Sequence, residues 1–114
     1  MIRVEGELKL VPGARIPINA RAYVRILDVT NLDVRSRVVG EVTLTGADIK
    51  SARGGDLQFV VSATANRGAD LVVSGFVDMD GNGVVSKGDY VSVVAYPVWE
   101  DTTTGLVVEL RRVE

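Results

Sequence analysis

The sequence predicts an all-β chain: a seven-stranded antiparallel β-sandwich of immunoglobulin-like or transthyretin-like type. Three observations predict it. Apolar residues recur at every second position along most of the chain, the period of a half-buried strand. Short connectors rich in Gly, Asn, Asp and Pro interrupt the alternation. Seven apolar faces exceed what one half-buried sheet can cover, so two packed sheets are the economical arrangement.

In the first element, 2–10, Ile2, Val4, Gly6, Leu8 and Leu10 share one face, with Arg3, Glu5, Glu7 and Lys9 on the other. The second, 20–28, sets Ala22, Val24 and Ile26 against Arg21, Tyr23 and Arg25. The third, 37–44, places Val38, Val42 and Leu44 opposite Arg37, Glu41 and Thr43. The fourth, 56–65, buries Leu57, Phe59, Val61 and Ala63. Segments 71–77, 89–98 and 105–113 complete the set. Connectors at 11–17, 29–33, 52–56, 66–70 and 100–105 carry turn chemistry. One helical turn is expected at Asp48–Arg53, and no longer helix anywhere. Pro97 interrupts a good strand pattern, which places it on a sheet edge or a bulge.

The 114 residues suit one domain, 1–114, and 46% of them are hydrophobic, enough for a core without a staple. Thirteen basic residues face fifteen acidic ones, for a net charge of -2. That balance recruits neither nucleic acid nor an anionic membrane. There is no Cys and no His. Thiolate nucleophiles, Ser-His and Cys-His pairs, imidazole or thiolate zinc sites and disulfides are thereby excluded. Hard-oxygen chemistry from Asp, Glu, Asn, Ser and backbone carbonyls remains. No apolar run approaches the ~20 residues that span a bilayer, and the N-terminus alternates from its start without a signal-peptide core.

One stretch departs from plain strand syntax: VDMDGNGVVSKGDYV, Val77–Val91. Counted from Asp78, Asp80 stands at position 3, Asn82 at 5, Gly83 at 6, Val84 at 7, Ser86 at 9 and Asp89 at 12. This spacing resembles the EF-hand calcium loop, here with strand-like flanks and Asp instead of Glu at position 12. Each residue type has a reason. Calcium takes six to eight oxygens in a forgiving geometry. Alternate residues 1, 3 and 5 turn side-chain oxygens inward, and glycine at 6 allows a sharp bend. Position 7 offers its backbone carbonyl, Ser86 a hydroxyl or a bound water, and Asp89 closes the cage. Asp-Gly and Asn-Gly are also common turn dipeptides, so a bare hairpin turn is the competing reading. It explains 80–83 but neither Asp78 nor Asp89. The expected ion is Ca2+ with a dissociation constant of about 10⁻⁶ to 10⁻³ M, although Mg2+ shares the oxygen preference.

Other features weigh less. Tyr23, Tyr90, Tyr96 and Trp99 offer a carbohydrate platform, or simply strand decoration. Glu5, Glu7, Glu41 and Glu109 sit beside Arg and Lys on outer faces, so charge pairing is expected rather than acid–base catalysis. Gly54-Gly55 lacks the strand-to-helix context of a phosphate loop. No nucleophile-generating base accompanies the acidic loop, and no enzyme activity is expected.

From Val4 to about Phe59 the chain also resembles small bacterial envelope lipoproteins, the pilotin-like chaperones of type III secretion and their general periplasmic relatives. The resemblance rests on Val4-x-Gly6, the Ala20–Thr30 entry ending in L-D-V-T, Asn31 and Asp33, and V-x-G-E-x-x-L from Val38 to Leu44 with Gly40 and Glu41. It covers about half of the chain, and the lipid-attachment cysteine of that group is absent. The resemblance implies a non-enzymatic domain that assists another protein's assembly near the cell envelope.

Two functions follow as expectations, a calcium-binding module pinned at 78–89 or a pilotin-like adaptor that binds a partner protein through an edge strand. A carbohydrate-binding module comes third. A periplasmic, envelope or extracellular site is expected if a leader has been removed, and a cytoplasmic one if the chain is full length.

Overall fold

The computed structural model describes residues 1–10, 17, 19–31, 36–45, 56–65 and 68–114. Every regular element among them is a strand: β1 (Ile2–Lys9), β2 (Arg21–Asp28), β3 (Arg37–Thr45), β4 (Asp56–Ala63), β5 (Leu71–Asp78), β6 (Tyr90–Ser92), β7 (Tyr96–Val98) and β8 (Thr102–Arg112). The helical turn expected at Asp48–Arg53 and the Gly54-Gly55 pair lie outside the described residues.

The strands follow one path, β3-β2-β5-β6-β8-β1-β4, with β7 attached to β5. The path curls until its ends, β3 and β4, pack on each other without a ladder between them, giving a nearly closed, barrel-like sheet. Gly40 makes that approach possible. A Cβ there would run into the Ser62 carbonyl oxygen and crowd the Ala63 side chain. The sequence anticipated two separate antiparallel sheets. Instead β1 and β8 pair in parallel, Gly6–Lys9 against Leu106–Glu109, so the first and last strands lie side by side. A parallel pair needs a long crossover, and here the rest of the fold supplies it. Period-2 alternation is identical in parallel and antiparallel strands, so it carries no sign of this pairing.

The alternation expected of β1, β2 and β4 is what fills the interior. Val4, Leu8 and Leu10 meet Ala22, Val24 and Ile26 and the Leu57, Phe59, Val61, Ala63 row. β5, β6 and β8 add Leu71, Val73, Val77, Tyr90, Val108 and Leu110. Fully burying a Val, Leu or Ile stabilises by about 1.5–3 kcal/mol relative to exposure, so this row of contacts is the main force closing the sheet.

Three expectations need correction. Val38 is 49% exposed, while Val39 packs against the core. The cause is a bulge opposite Ile26/Leu27, where β3 holds one extra residue and its side-chain phase inverts. The segment 89–98 is two strands, β6 and β7, separated at 93–95. Pro97 lies in β7, which pairs only with β5, so its missing N–H costs no ladder bond. Finally, β8 begins at Thr102, within the segment read as a turn.

On the outer face, Tyr23 stacks on Phe76 with ring centroids 5.8 Å apart, and the Arg25 guanidinium lies 5.1 Å from the Tyr23 ring. Arg25 Nε also donates to Glu41 Oε2 at 2.5 Å across the β2–β3 pair. Glu5 pairs within its own strand, with Arg3 at 2.6 Å, and Glu7 accepts a 3.4 Å bond from Gln58 across β1–β4.

Candidate metal centre

The acidic loop joins β5 to β6, which pair antiparallel at Phe76–Val91 and Val77–Tyr90. Asp78 is the last residue of β5, and Asp89 immediately precedes β6. Alternation sends Val77 into the core and Asp78 to the outer flank. The loop then folds over that flank, leaving Asp78 at 0% exposure and Asp89 at 1%. They are the buried charged side chains of the described residues.

Each buried carboxylate is held by the loop's own donors. Gly81 N–H donates to Asp78 Oδ1 at 3.1 Å and Gly83 N–H to Oδ2 at 2.7 Å. Gly81 and Gly83 have φ of 73° and 81°, a left-handed conformation that an L side chain rarely adopts. These bends turn both amides back onto Asp78. Asp89 Oδ1 accepts Met79 N–H at 2.8 Å, and its Oδ2 accepts Ser86 N–H at 2.8 Å and Ser86 Oγ–H at 3.1 Å. The two acids therefore clamp the loop from opposite ends.

Asp80 is exposed and accepts from Asn82, its backbone N–H at 3.3 Å and its Nδ2 at 3.2 Å. Asn82 Oδ1 accepts Val84 N–H at 3.0 Å, and Asn82 Nδ2 donates to Ser86 Oγ at 3.4 Å. Thus Asp80, Asn82, Ser86 and Asp89 form one connected side-chain network, with Asp78 held beside it by the Gly81 and Gly83 amides. The Val84 side chain stands 61% exposed outside it.

The residues present fit a calcium ion on one geometric test. Two oxygens that both touch one ion at about 2.3–2.6 Å lie no more than about 5 Å apart. Carboxylate oxygens from Asp78, Asp80 and Asp89 all lie within 4.8 Å of one another. Neither Asp78 nor Asp89 forms an ion pair among the described residues. A buried charge is stabilised by a partner charge, by hydrogen bonds or by a metal, and the loop's own amides and the Ser86 hydroxyl supply hydrogen bonds here. Each carboxylate keeps lone pairs beyond those bonds. Asn82 is the member that must move: its Oδ1 faces Val84 N–H, while its Nδ2 faces Asp80 and Ser86.

Sequence spacing gave no sign of the backbone partners. Val113 N–H donates to the Asp89 carbonyl at 2.7 Å, and Gly88 N–H donates to the Val113 carbonyl at 2.8 Å. The end of the chain thus clasps the loop exit. A backbone amide has no residue identity, so no motif marks it. Elsewhere, Tyr90 is in the core, and Tyr96 Oη accepts the Glu109 N–H at 2.9 Å. Trp99 is 86% exposed. These rings do not gather with Tyr23 into a platform, because the ring stack among the described residues is Tyr23 with Phe76.

A second polar knot lies at the opposite end of β2. Thr30 donates to Asp28 Oδ1 through its hydroxyl at 2.5 Å and its N–H at 2.9 Å. Its Oγ accepts Asp70 N–H at 2.8 Å. The Thr30 hydroxyl and then its amide hold the Asp28 carboxyl below its ordinary range; desolvation opposes them, and the Arg37 charge adds a lesser lowering.

No helix among the described residues is long and apolar enough to cross a membrane. No family model matches the chain, and no curated protein sequence matches it. Among solved structures, its fold is similar to that of an alternative pilotin from the type II secretion system of Vibrio cholerae. The TM-score is 0.76 at 18% sequence identity, over 98% of this chain and 96% of that one.

Proposed function

We propose that this chain is a non-catalytic adaptor that binds another protein, built on a pilotin-type β-fold. The observation that carries the reading is the end-to-end similarity to a pilotin, 98% of one chain against 96% of the other. A shared whole fold leaves few extra elements for a separate catalytic apparatus. The lack of His and Cys throughout the sequence supports the same reading. The test is co-purification of the tagged chain from its native host at native abundance. A partner that survives washing near one-to-one is expected, and its persistent absence contradicts the reading.

A second reading stands beside it, because the 4.8 Å carboxylate cluster favours it independently. In this reading the loop 78–89 binds calcium through Asp78, Asp80, Asn82, the Val84 carbonyl, Ser86 and Asp89, and the ion has a structural role. It pins a long β5–β6 connection whose closure costs entropy. With ~1 mM calcium and a dissociation constant of ~10 µM, the linkage adds about 2.7 kcal/mol. The two readings are compatible: the ion would stiffen the scaffold, and another surface would hold the partner.

A further inference from the structure

The sheet splits between β7 and β8. β8 is covered by β1 along Thr102–Glu109 on one flank and by β6 along Leu110–Arg112 on the other. From Thr102 to Val108, the flank away from β1 has no strand partner among the described residues. β7 lies on the same side of β5 as β6, so its outer edge looks toward this stretch, yet it pairs only with β5. At one point the gap is bridged by a side chain, where Tyr96 Oη takes the Glu109 N–H. Successive amides in a strand point to alternate flanks. Val107 N–H therefore points the same way as Glu109 N–H, into the split, and no group of the described residues receives it.

An apolar groove of about 320 Å³ opens beside this edge. Its walls are Leu10, Val93, Val94, Tyr96 and Leu110. Val93 and Val94 are each 56% exposed, and Val107 on the edge itself is 38% exposed. Lys9, Glu109 and Arg111 rim the groove, and none of the three forms an ion pair among the described residues. The rim is thus net positive on a chain whose total charge is -2.

From this juxtaposition of a free strand edge, an apolar groove and unpaired cations, we infer that β8 accepts an extended peptide segment of the partner as an added strand. The segment alternates apolar and acidic residues. Its backbone bonds to Val107, and to Glu109 once Tyr96 swings aside. Its apolar side chains enter the groove, and its carboxylates face Lys9 and Arg111. Strand addition takes affinity from main-chain bonds and specificity from alternate side chains. The inference rests on the adaptor reading and names where and what that adaptor binds.

The test uses the whole protein and a capped peptide of about eight residues alternating valine and glutamate, followed by amide-resolved NMR. The expected result is perturbation of Val93, Val94 and Val107, with slowed solvent exchange at the Val107 amide. A valine–lysine counterpart binds about tenfold more weakly, and Arg111→Glu reverses that preference. Tyr96→Phe removes a competitor for the Glu109 amide, so it tightens binding roughly threefold to tenfold. N-methylation of alternate peptide amides abolishes binding. Equal binding of the N-methylated peptide, a helical bound peptide, perturbation confined to another face, or no perturbation at about 1 mM each overturns the inference. In any of those cases a partner that co-purifies still upholds the adaptor reading, so the two can fail separately.

Discussion

At the residue scale, Asp78 and Asp89 lie out of water in a protein that offers them no cation among its described residues. Both oxygens of Asp78 accept backbone amides. Asp78→Asn would set an amide donor against one of these N–H groups. Leaving a buried donor unsatisfied costs about 1–3 kcal/mol, and urea unfolding in EDTA should show that loss; a change below about 0.5 kcal/mol contradicts the described network. Asp80 differs, being exposed and, among the described residues, bonded to Asn82 alone. Asp80→Ala should therefore cost little in EDTA yet remove a several-degree, calcium-specific rise in melting temperature. A rise that persists in this variant, or none in the parent, rejects the metal reading. Asp28 makes a pH prediction. Its folded carboxyl is held below the ordinary range by Thr30 and Arg37, so its stabilisation is complete above that range and is lost as pH falls through the folded value. Thr30→Val should raise the Asp28 titration in carbon-detected NMR, and an unchanged titration removes Thr30 as the cause.

At the scale of the elements, Gly40 decides how closely β3 and β4 approach. Gly40→Ala places a methyl against the Ser62 carbonyl, and overpacking of this kind costs about 1–3 kcal/mol. Calorimetry should show the loss, and hydrogen exchange should localise the loosening to β3 and β4; a neutral substitution means that the seam is looser than described. The same strands show what was legible in the sequence. The inward rows of β1, β2 and β4 were readable because an unbroken period of two assigns every side chain to a face. Val38 was misassigned because a bulge adds one residue to β3, and a local backbone irregularity leaves no mark on hydrophobicity. The gathering of Asp78, Asp80 and Asp89 was readable for the opposite reason. The oxygen donors sit at fixed offsets, which chance turns do not require at both ends. The depth of Asp78 and Asp89 was not readable, because it comes from how the loop folds back over the β5 flank.

At the scale of the whole molecule, strand content was legible and strand neighbours were not. The pairing of β1 with β8, and hence the curl of the sheet, depends on contacts between opposite ends of the chain. Curling also produces the split between β7 and β8, which alternation alone could not reveal. In this sheet β3 and β4 cover each other by packing, and an edge left open is a place where another chain can add. The adaptor account makes one of these edges functional, the β8 flank that lies beside the groove. Site-specific photo-crosslinking in the native host tests it most directly, with the photoreactive residue placed in turn at Val107, Val38, Val85 and Trp99. The account predicts one discrete partner protein, crosslinked from Val107 and not from Val38 or Val85. No discrete crosslinked partner from any of the four positions, with the variants folded and at native abundance, would contradict it.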